Sequence, residues 1–182
     1  YSVGLAEKRG IKIEISEKNF ENYFNDFYQL LEETARRNNF DIHSKNYYQN
    51  IFETLTASNA FLAVAKYRDE ILAVNLILIF GSTANFLFGG SSSEHKNFMF
   101  SHLAQWETIK EAKKRGMTIY NFGGVNPSTS LGVNNYSQFE GISHFKKRFG
   151  GKIFEHFDSY DIVSRPFWYW LYNLRKWLLN QK

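Results

Sequence analysis

The chain has 182 residues, of which 43% are hydrophobic and 18% aromatic, so it is long enough for one packed α/β domain and too apolar to be disordered. Its 22 basic and 18 acidic residues leave a net charge of +4, which permits an anionic partner without requiring one. No cysteine is present, and this excludes disulfides, zinc–thiolate sites and a thiol nucleophile.

The first half of the chain predicts one strand, two amphipathic helices and three further strands. Residues 11–15 alternate apolar and charged side chains, which is typical of a half-buried strand. Aromatic residues at helical spacing predict a helix over 20–37 and a shorter one over 47–55. The three strands that follow are expected at 60–67, 71–80 and 83–88. The second of these is so apolar that we expect it to be central and buried on both faces.

Glycine-rich segments divide the second half. Residues 89–93, Gly-Gly-Ser-Ser-Ser, predict a loop before a long helix that ends at Gly116. The apolar stripe of that helix is Met99, Leu103, Trp106, Ile109 and Ala112. After it we expect a strand at 117–122, a long loop at 125–139, a short basic helix at 142–149, a strand at 152–163 and an aromatic helix from Pro166. Loops as long as the one at 125–139 are often functional.

This order of elements, β-α-α-β-β-β-α-β-α-β, predicts a mixed sheet flanked by helices. It is the order of the acetyltransferase-like α/β fold, in which the central sheet splays open to hold an acyl donor. We expect residues 1–165 to form that domain and residues 166–182 to form a separate aromatic and basic helix.

Four sequence motifs identify a family more specifically than the order of elements does. They are Leu30-Leu31-Glu32-Glu33-Thr34 followed by His43 and Tyr47-Tyr48, Phe88-Gly89-Gly90-Ser91-Ser92 followed by Gln105-Trp106, Tyr120-Asn121-Phe122-Gly123-Gly124-Val125, and Gly141-Ile142-Ser143-His144-Phe145-Lys146-Lys147-Arg148-Phe149-Gly150-Gly151. In this order they resemble the C-terminal domain of the Fem family, and the resemblance extends over residues 6–163. The last two motifs are the most specific.

The resemblance implies an aminoacyltransferase that builds the peptide cross-bridge of bacterial peptidoglycan. The donor in this family is an aminoacyl-tRNA, and the acceptor is an amine of the stem peptide on a lipid-linked or nucleotide-linked precursor. No metal or other cofactor is required. Family members have two acetyltransferase-like domains, so the chain, which opens at Tyr1, is expected to be the second. Such an enzyme is expected in the cytoplasm, with a peripheral contact to the inner face of the membrane.

Phe145 and Lys146 match the pair that lies beside the 3′ end of the tRNA in this family. Aminolysis of an ester needs alignment of the amine and stabilisation of the oxyanion, and a fixed lysine charge supplies the second. We therefore expect Lys146 to be catalytic, and Phe145 to stack on a base of the single-stranded CCA end. On periodicity alone, Phe145 could equally be a core residue and Lys146 a solvated charge.

A second group of residues is expected to contact the substrates. Lys147, Arg148 and Lys152 continue a basic segment that suits tRNA phosphates, although solvated helix faces look the same. Tyr120 ends a strand where it could orient the amine, or it is a half-buried strand residue. His43 stands near the position at which related enzymes often carry an arginine that helps hold the acceptor.

Gly89, Gly90 and Ser91 are expected to let the backbone approach a ligand, or else to form a simple loop before a helix. The enzyme alternative is an N-acyltransferase that uses acyl-CoA. Such an enzyme places a pyrophosphate cradle, roughly Arg/Gln-x-x-Gly-x-Gly/Ala, before the long helix, and residues 91–96 do not match it. The other alternative is a domain that only binds a precursor or a partner. The five histidines are too scattered to indicate a metal site.

The aromatic tail admits two interpretations. Rings mixed with basic residues are typical of a helix at a membrane interface, and no run approaches the roughly 18 apolar residues of a membrane span. The same composition suits a helix that packs against the missing first domain.

Overall fold

A five-stranded mixed sheet with helices on both faces lies at the centre of the protein, whose computed structural model describes residues 1–125, 140–155 and 160–179. The strands are β1 (Lys12–Ser16), β2 (Ala60–Tyr67), β3 (Glu70–Phe80), β4 (Thr83–Ser91) and β5 (Ile119–Asn121). The helices are α1 (Ser2–Lys8), α2 (Phe24–Asn38), α3 (Lys45–Glu53), α4 (Phe100–Lys114), α5 (Glu140–Lys147) and α6 (Pro166–Leu179). Short 3₁₀ turns precede α2 at Phe20–Tyr23 and α4 at Lys96–Phe98.

Strand β3 occupies the middle of the sheet, as its apolar sequence predicts. The strands lie in the order β1-β2-β3-β4-β5, with antiparallel pairing up to β4 and parallel pairing between β4 and β5. Val74 and Leu76 of β3 are fully buried on the face that carries α2 and α3. Leu72 and Ala73 belong to the cluster beneath α1 and α4 on the other face. The mixed α/β sandwich that the sequence predicts is confirmed.

Helix α4 buries only part of the stripe that its sequence predicts, because Leu103 and Ala112 are buried but Trp106 is not. Trp106 is 42% exposed, and the buried face also contains two polar residues, Gln105 and Thr108. Thr108 is accommodated because its hydroxyl donates to the carbonyl of Ala104, one turn earlier, at 2.7 Å. Gln105 has side-chain partners on two strands, described below. Hydrogen bonding offsets the cost of burying these two polar groups, so apolar spacing alone could not identify them as part of the buried face.

Three other predictions about elements need correction. Strand β4 continues through Ser91, so Gly89, Gly90 and Ser91 form its end and are not a loop. The strand expected at 152–163 is absent from the described parts of that segment, 152–155 and 160–163. Helix α1 was not predicted. The loop expected at 125–139 lies, apart from Val125, outside the described residues.

The chain divides into two compact units, Tyr1–Gly150 with the sheet and α1 to α5, and Gly151–Lys182 with α6. Within the second unit the Tyr169 hydroxyl donates to the carboxylate of Asp161 at 2.6 Å. The separate tail domain expected at 166–182 stays a prediction. Among the described residues, no helix has both the length and the apolar character needed to cross a membrane.

Candidate active site

The parallel strands β4 and β5 pair over only three residues and then diverge. Their last paired residues, Asn85 and Asn121, are joined by a hydrogen bond from Asn121 Nδ2 to Asn85 Oδ1 of 3.1 Å. Asn121 Oδ1 accepts the backbone N–H of Gly123 at 2.9 Å, and Gly123 adopts a φ of 73°, which favours glycine. This side chain–backbone turn follows the last pairing with β4, and a Cβ atom on Gly123 would still lie 3.8 Å from the Phe86 carbonyl oxygen of β4. The residues around the opening form the candidate active site.

Lys146 lies beside this turn. Its ammonium group donates to the carbonyl oxygen of Gly124 at 2.8 Å, and a Cβ atom placed on Gly123 would lie 3.7 Å from it. The side chain is half-buried, and burial lowers the pKa of the Lys146 ammonium below its ordinary value. Lys146 is therefore held against the end of the β5 segment and does not extend into bulk solvent.

Phe145 packs into an aromatic cluster formed by α4 and α5. Its ring meets those of His102 and Phe149 edge to face, at centroid distances of 5.0 and 5.3 Å, and the ring is half-buried. Phe122, just after β5, lies 5.7 Å from Phe149. His102 Nε2 is buried with no hydrogen-bond partner among the described residues. Burial, and then the charge of Arg148, lowers the pKa of His102, so its ring is kept neutral.

Tyr120 is connected to the middle of the sheet through buried amides. Its hydroxyl accepts a hydrogen bond from Gln105 Nε2 at 2.5 Å, and Gln105 Oε1 accepts from Asn75 Nδ2 at 3.4 Å. Burial raises the pKa of the Tyr120 hydroxyl far above its ordinary value, although the bond from Gln105 opposes this shift. Tyr120 therefore stays protonated at any physiological pH.

Gly90 and Ser91 attach β4 to α2. A Cβ atom on Gly90 would lie 2.5 Å from the backbone nitrogen of Leu31 and 2.7 Å from the carbonyl carbon of Leu30, so only glycine fits. Ser91 exchanges two hydrogen bonds with the Thr34 hydroxyl, and its own hydroxyl accepts from Arg37 at 2.8 Å. These contacts give both residues a packing role that the sequence analysis did not assign.

Gly89 faces the other side of β4, opposite Asn75 in the register. A Cβ atom there would lie 3.0 Å from Asn75 Oδ1 and 2.6 Å from the Phe86 ring. The missing side chain therefore leaves room for the buried amide of Asn75. Of the three β4 residues expected at the site, Gly89 is the one in contact with the network that leads to Tyr120.

The remaining expected site residues lie on other surfaces. The exposed ring of His43 stacks 4.2 Å from Tyr47, and its backbone N–H donates to the Tyr48 hydroxyl at 3.3 Å. Tyr48 in turn contacts Phe88 of β4 at 5.1 Å. Lys147 and Arg148 are exposed on and after α5, and Lys152 belongs to the second unit.

Gln105 and Asn75 were not predicted as part of this site. Asn75 had a detectable signal, because it interrupts the otherwise apolar run at 71–80. A lone amide in a central strand must find a partner, and this implies a second buried polar group nearby. Gln105 had no such signal, since a polar residue on an amphipathic helix is ordinarily assigned to the exposed face.

Comparison with known proteins identifies relatives of the chain. The model of the FemAB family matches residues 1–71 and 63–176. A lipid II:glycine glycyltransferase of Staphylococcus saprophyticus is 28% identical over 108 residues, which cover 59% of this chain and 25% of that protein. The crystal structure of FemX superposes with a TM-score of 0.66 at 21% identity, over 80% of this chain and 51% of that one.

The fold also occurs in acetyltransferases. An aminoglycoside acetyltransferase from an uncultured soil metagenomic sample gives a TM-score of 0.56 at 15% identity, over 85% of this chain and 97% of that one. These likenesses confirm the acetyltransferase-like fold that the sequence predicts. The matched region of this chain spans about a quarter of the glycyltransferase and about half of FemX.

Proposed function

The chain belongs to the FemAB family, and on that premise we propose that it is the second half of an aminoacyltransferase of peptidoglycan synthesis. The reaction moves an amino acid from aminoacyl-tRNA to an amine of the stem peptide of a precursor and so forms the interpeptide bridge. The glycyltransferase named for lipid II supports a precursor of this class. This chain covers 51% of FemX, and the proposal includes a further acetyltransferase-like domain that completes the enzyme.

The observation that carries the proposal is the half-buried ammonium of Lys146 at the divergence of β4 and β5. When the amine attacks the ester carbonyl, a negative charge develops on the carbonyl oxygen before the bond to the ribose oxygen breaks. A fixed positive charge in a partly water-excluded position stabilises that oxygen more than it stabilises the ground state. The ribose oxygen leaves and takes up the proton that the attacking amine releases.

The other expected residues have supporting roles in the proposal. Phe145 stacks on a base of the CCA end, which requires one face of its ring to be free beside His102 and Phe149. The exposed side chains of Lys147 and Arg148 meet tRNA phosphates, and Lys152 does so from the second unit. His43 contacts the precursor from the surface that its ring shares with Tyr47. No metal takes part.

An acyl-CoA-dependent N-acyltransferase is the second candidate, because acetyltransferases share the fold. The connection between β4 and α4 argues against it. A pyrophosphate cradle needs free backbone N–H groups there, but those of residues 91–94 are already bonded. Their acceptors are Thr34 Oγ1, the Leu72 carbonyl, Glu33 Oε1 and Ser92 Oγ. The Glu33 carboxylate would also repel a phosphate.

The test uses the full-length protein with charged tRNA and a peptidoglycan precursor. We expect transfer of the amino acid to the stem peptide, and we expect ribonuclease treatment of the charged tRNA to abolish it. Calorimetry with acetyl-CoA should show no binding. Transfer that survives ribonuclease and requires an acyl-CoA would establish the second candidate. Precursor binding without any transfer would reduce the protein to a binding module.

A further inference from the structure

The buried chain of polar groups from Asn75 through Gln105 to Tyr120 crosses the apolar layer between the sheet and α4. Asn75 is 7% exposed and Gln105 is 1% exposed. Two amides in such a place are costly unless each is hydrogen-bonded, and here each is bonded to the next. The series ends at Tyr120 in β5, four residues before Gly124, whose carbonyl accepts the Lys146 ammonium. We therefore ask what this hydrogen-bonded series does to the Tyr120 hydroxyl at its end.

An amide has one donating and one accepting end, so a line of amides has a direction. Asn75 donates to Gln105 Oε1, and this leaves Gln105 Nε2 to face Tyr120 as a donor. The hydroxyl of Tyr120 therefore accepts from Gln105, and its own proton must be directed elsewhere. No described residue accepts that proton. Within the described part of the chain, the Tyr120 hydroxyl is thus a hydrogen-bond donor without an acceptor.

We infer that Gln105 is a positioning residue whose amide, oriented by Asn75, makes the Tyr120 hydroxyl a donor to the carbonyl oxygen of the acyl group. This rests on the proposed function. A hydroxyl that only donates is unsuited to orienting the attacking amine, because it would occupy the lone pair that must form the new bond. It is suited to the oxygen that gains negative charge, where a fixed donor adds to the charge of Lys146.

Two further observations agree with this direction. Burial raises the pKa of Tyr120, so the proton is retained. Gly89 leaves Asn75 its space, because any side chain there would press on Asn75 Oδ1 and the Phe86 ring. A substitution at Gly89 would therefore displace Asn75, and the displacement would reach the Tyr120 hydroxyl through Gln105.

The test reverses the direction of the chain with a nearly isosteric change. In the full-length protein, Gln105→Glu places a carboxylate that accepts from both Asn75 and Tyr120, and so turns the Tyr120 proton inward. We expect kcat for transfer to fall by about 10- to 100-fold, which is the loss expected when one oxyanion donor is removed. The KM values for both substrates should stay within about twofold of those of the parent, because the substrate-binding contacts are unchanged. Tyr120→Phe should lower kcat by a similar factor, and the double variant should be no slower than Tyr120→Phe alone.

Gln105→Met and Thr108→Val complete the set. Gln105→Met keeps the site uncharged and removes the amide that orients the Tyr120 hydroxyl, so kcat should fall by roughly 10-fold. This variant keeps the inference testable if Gln105→Glu is unstable. Thr108→Val removes another buried polar group from the same face of α4 and should leave kcat unchanged. Unchanged kcat in both Gln105 variants, or further loss in the double variant, would overturn the inference.

A spectroscopic measurement separates this inference from the proposed function. The ¹³Cζ resonance of Tyr120 reports whether its hydroxyl accepts or donates, and it needs no substrate. We expect it to move between the parent and Gln105→Glu, because the hydroxyl changes from acceptor to donor toward residue 105. The same resonance in both proteins would show that Tyr120 already donates inward. A shifted resonance in a protein that transfers nothing from tRNA would refute the proposed function and leave the hydrogen-bond direction established.

Discussion

Lys146 keeps its charge in a half-buried position, and this costs folding free energy, since burial disfavours the ammonium form and lowers its pKa. The hydrogen bond from its ammonium to the Gly124 carbonyl offsets only part of that cost. A side chain that served stability alone would be apolar here. The arrangement is the one expected when a charge is kept for binding or chemistry.

Replacing Lys146 by methionine should separate stability from function. In Lys146→Met we expect transfer by the full-length protein to fall by about 100-fold or more, because the charge that faces the oxyanion is lost. The thermal midpoint at pH 7 should equal or exceed that of the parent, because no buried charge remains. Lys113→Met, at an exposed lysine of α4, is the matched control and should change neither value. Full activity in Lys146→Met would remove this residue from the mechanism.

The pH dependence of stability provides an independent check. The folded protein releases the Lys146 proton at a lower pH than the unfolded chain, whose lysines titrate near 10.5. The unfolded state therefore binds more protons in this window, and the parent gains stability as pH rises through it. We expect the difference in thermal midpoint between Lys146→Met and the parent to shrink from pH 7 toward pH 10. A constant difference would show that the ammonium is not desolvated.

Helix α2 and strand β4 approach each other closely enough to exclude a methyl group at Gly90. Arg37 and Thr34 of the helix then bind Ser91 of the strand through its carbonyl and hydroxyl oxygens. The contact fixes the end of β4, beyond Asn85, where β4 no longer pairs with β5. Packing between these two elements therefore keeps one wall of the opening in place.

Gly90→Ala should destabilise the protein by about 2 kcal/mol or more, because its Cβ meets backbone atoms of Leu30 and Leu31 that cannot rotate away. Gly4→Ala in α1 is the control, since nothing lies within 4 Å of the added carbon. It should stabilise the protein by roughly 0.5–1 kcal/mol, as expected for an open helical position. Urea unfolding of the two variants measures both effects. A stable Gly90→Ala protein with only a raised KM would favour a ligand contact at Gly90.

Periodic apolar spacing suffices to predict α2, α3 and the first three strands, because their buried residues are apolar apart from Ser16 and Asn75. For α4 it predicts the helix but not its whole buried face, because Gln105 and Thr108 are buried through hydrogen bonds to Tyr120 and to the carbonyl of Ala104. It also fails at residues 89–91, which belong to β4 and not to a loop: Gly90 and Ser91 pack on α2, and Gly89 leaves room for Asn75. At the site, the motif located Lys146 and Tyr120, but the partners that orient Tyr120 depend on tertiary pairing.

Helix α6 combines exposed aromatic rings with basic side chains, the combination that is typical of peripheral membrane contacts. Trp168, Trp170 and Trp177 are 61%, 59% and 57% exposed, so their own unit does not bury them. Arg175 and Lys176 lie in the last part of the helix. Aromatic rings favour the headgroup layer and basic side chains attract anionic lipid, with each basic residue contributing on the order of 1 kcal/mol. We propose that this segment attaches the enzyme to the inner face of the membrane.

Deletion of residues 166–182 tests this attachment. The full-length protein should sediment with anionic phosphatidylglycerol vesicles at low salt and be released at high salt, because the attraction is screened. The deletion should weaken sedimentation and leave the thermal midpoint unchanged. Neutral phosphatidylcholine vesicles are the control. A lower midpoint with unchanged sedimentation would show instead that the helix packs against the preceding domain.

The short parallel pairing of β5 has a consequence for how the molecule opens. Strands β2 to β4 form a meander of antiparallel neighbours, whereas β5 adds three residues only after the long crossover through α4. Closing such a crossover costs chain entropy, and three residues return few hydrogen bonds. We expect the amide protons of Tyr120 and Asn121 to exchange with solvent at least about tenfold faster than that of Val74 in β3. Tyr120 would then belong to the unit that forms last in folding and opens first.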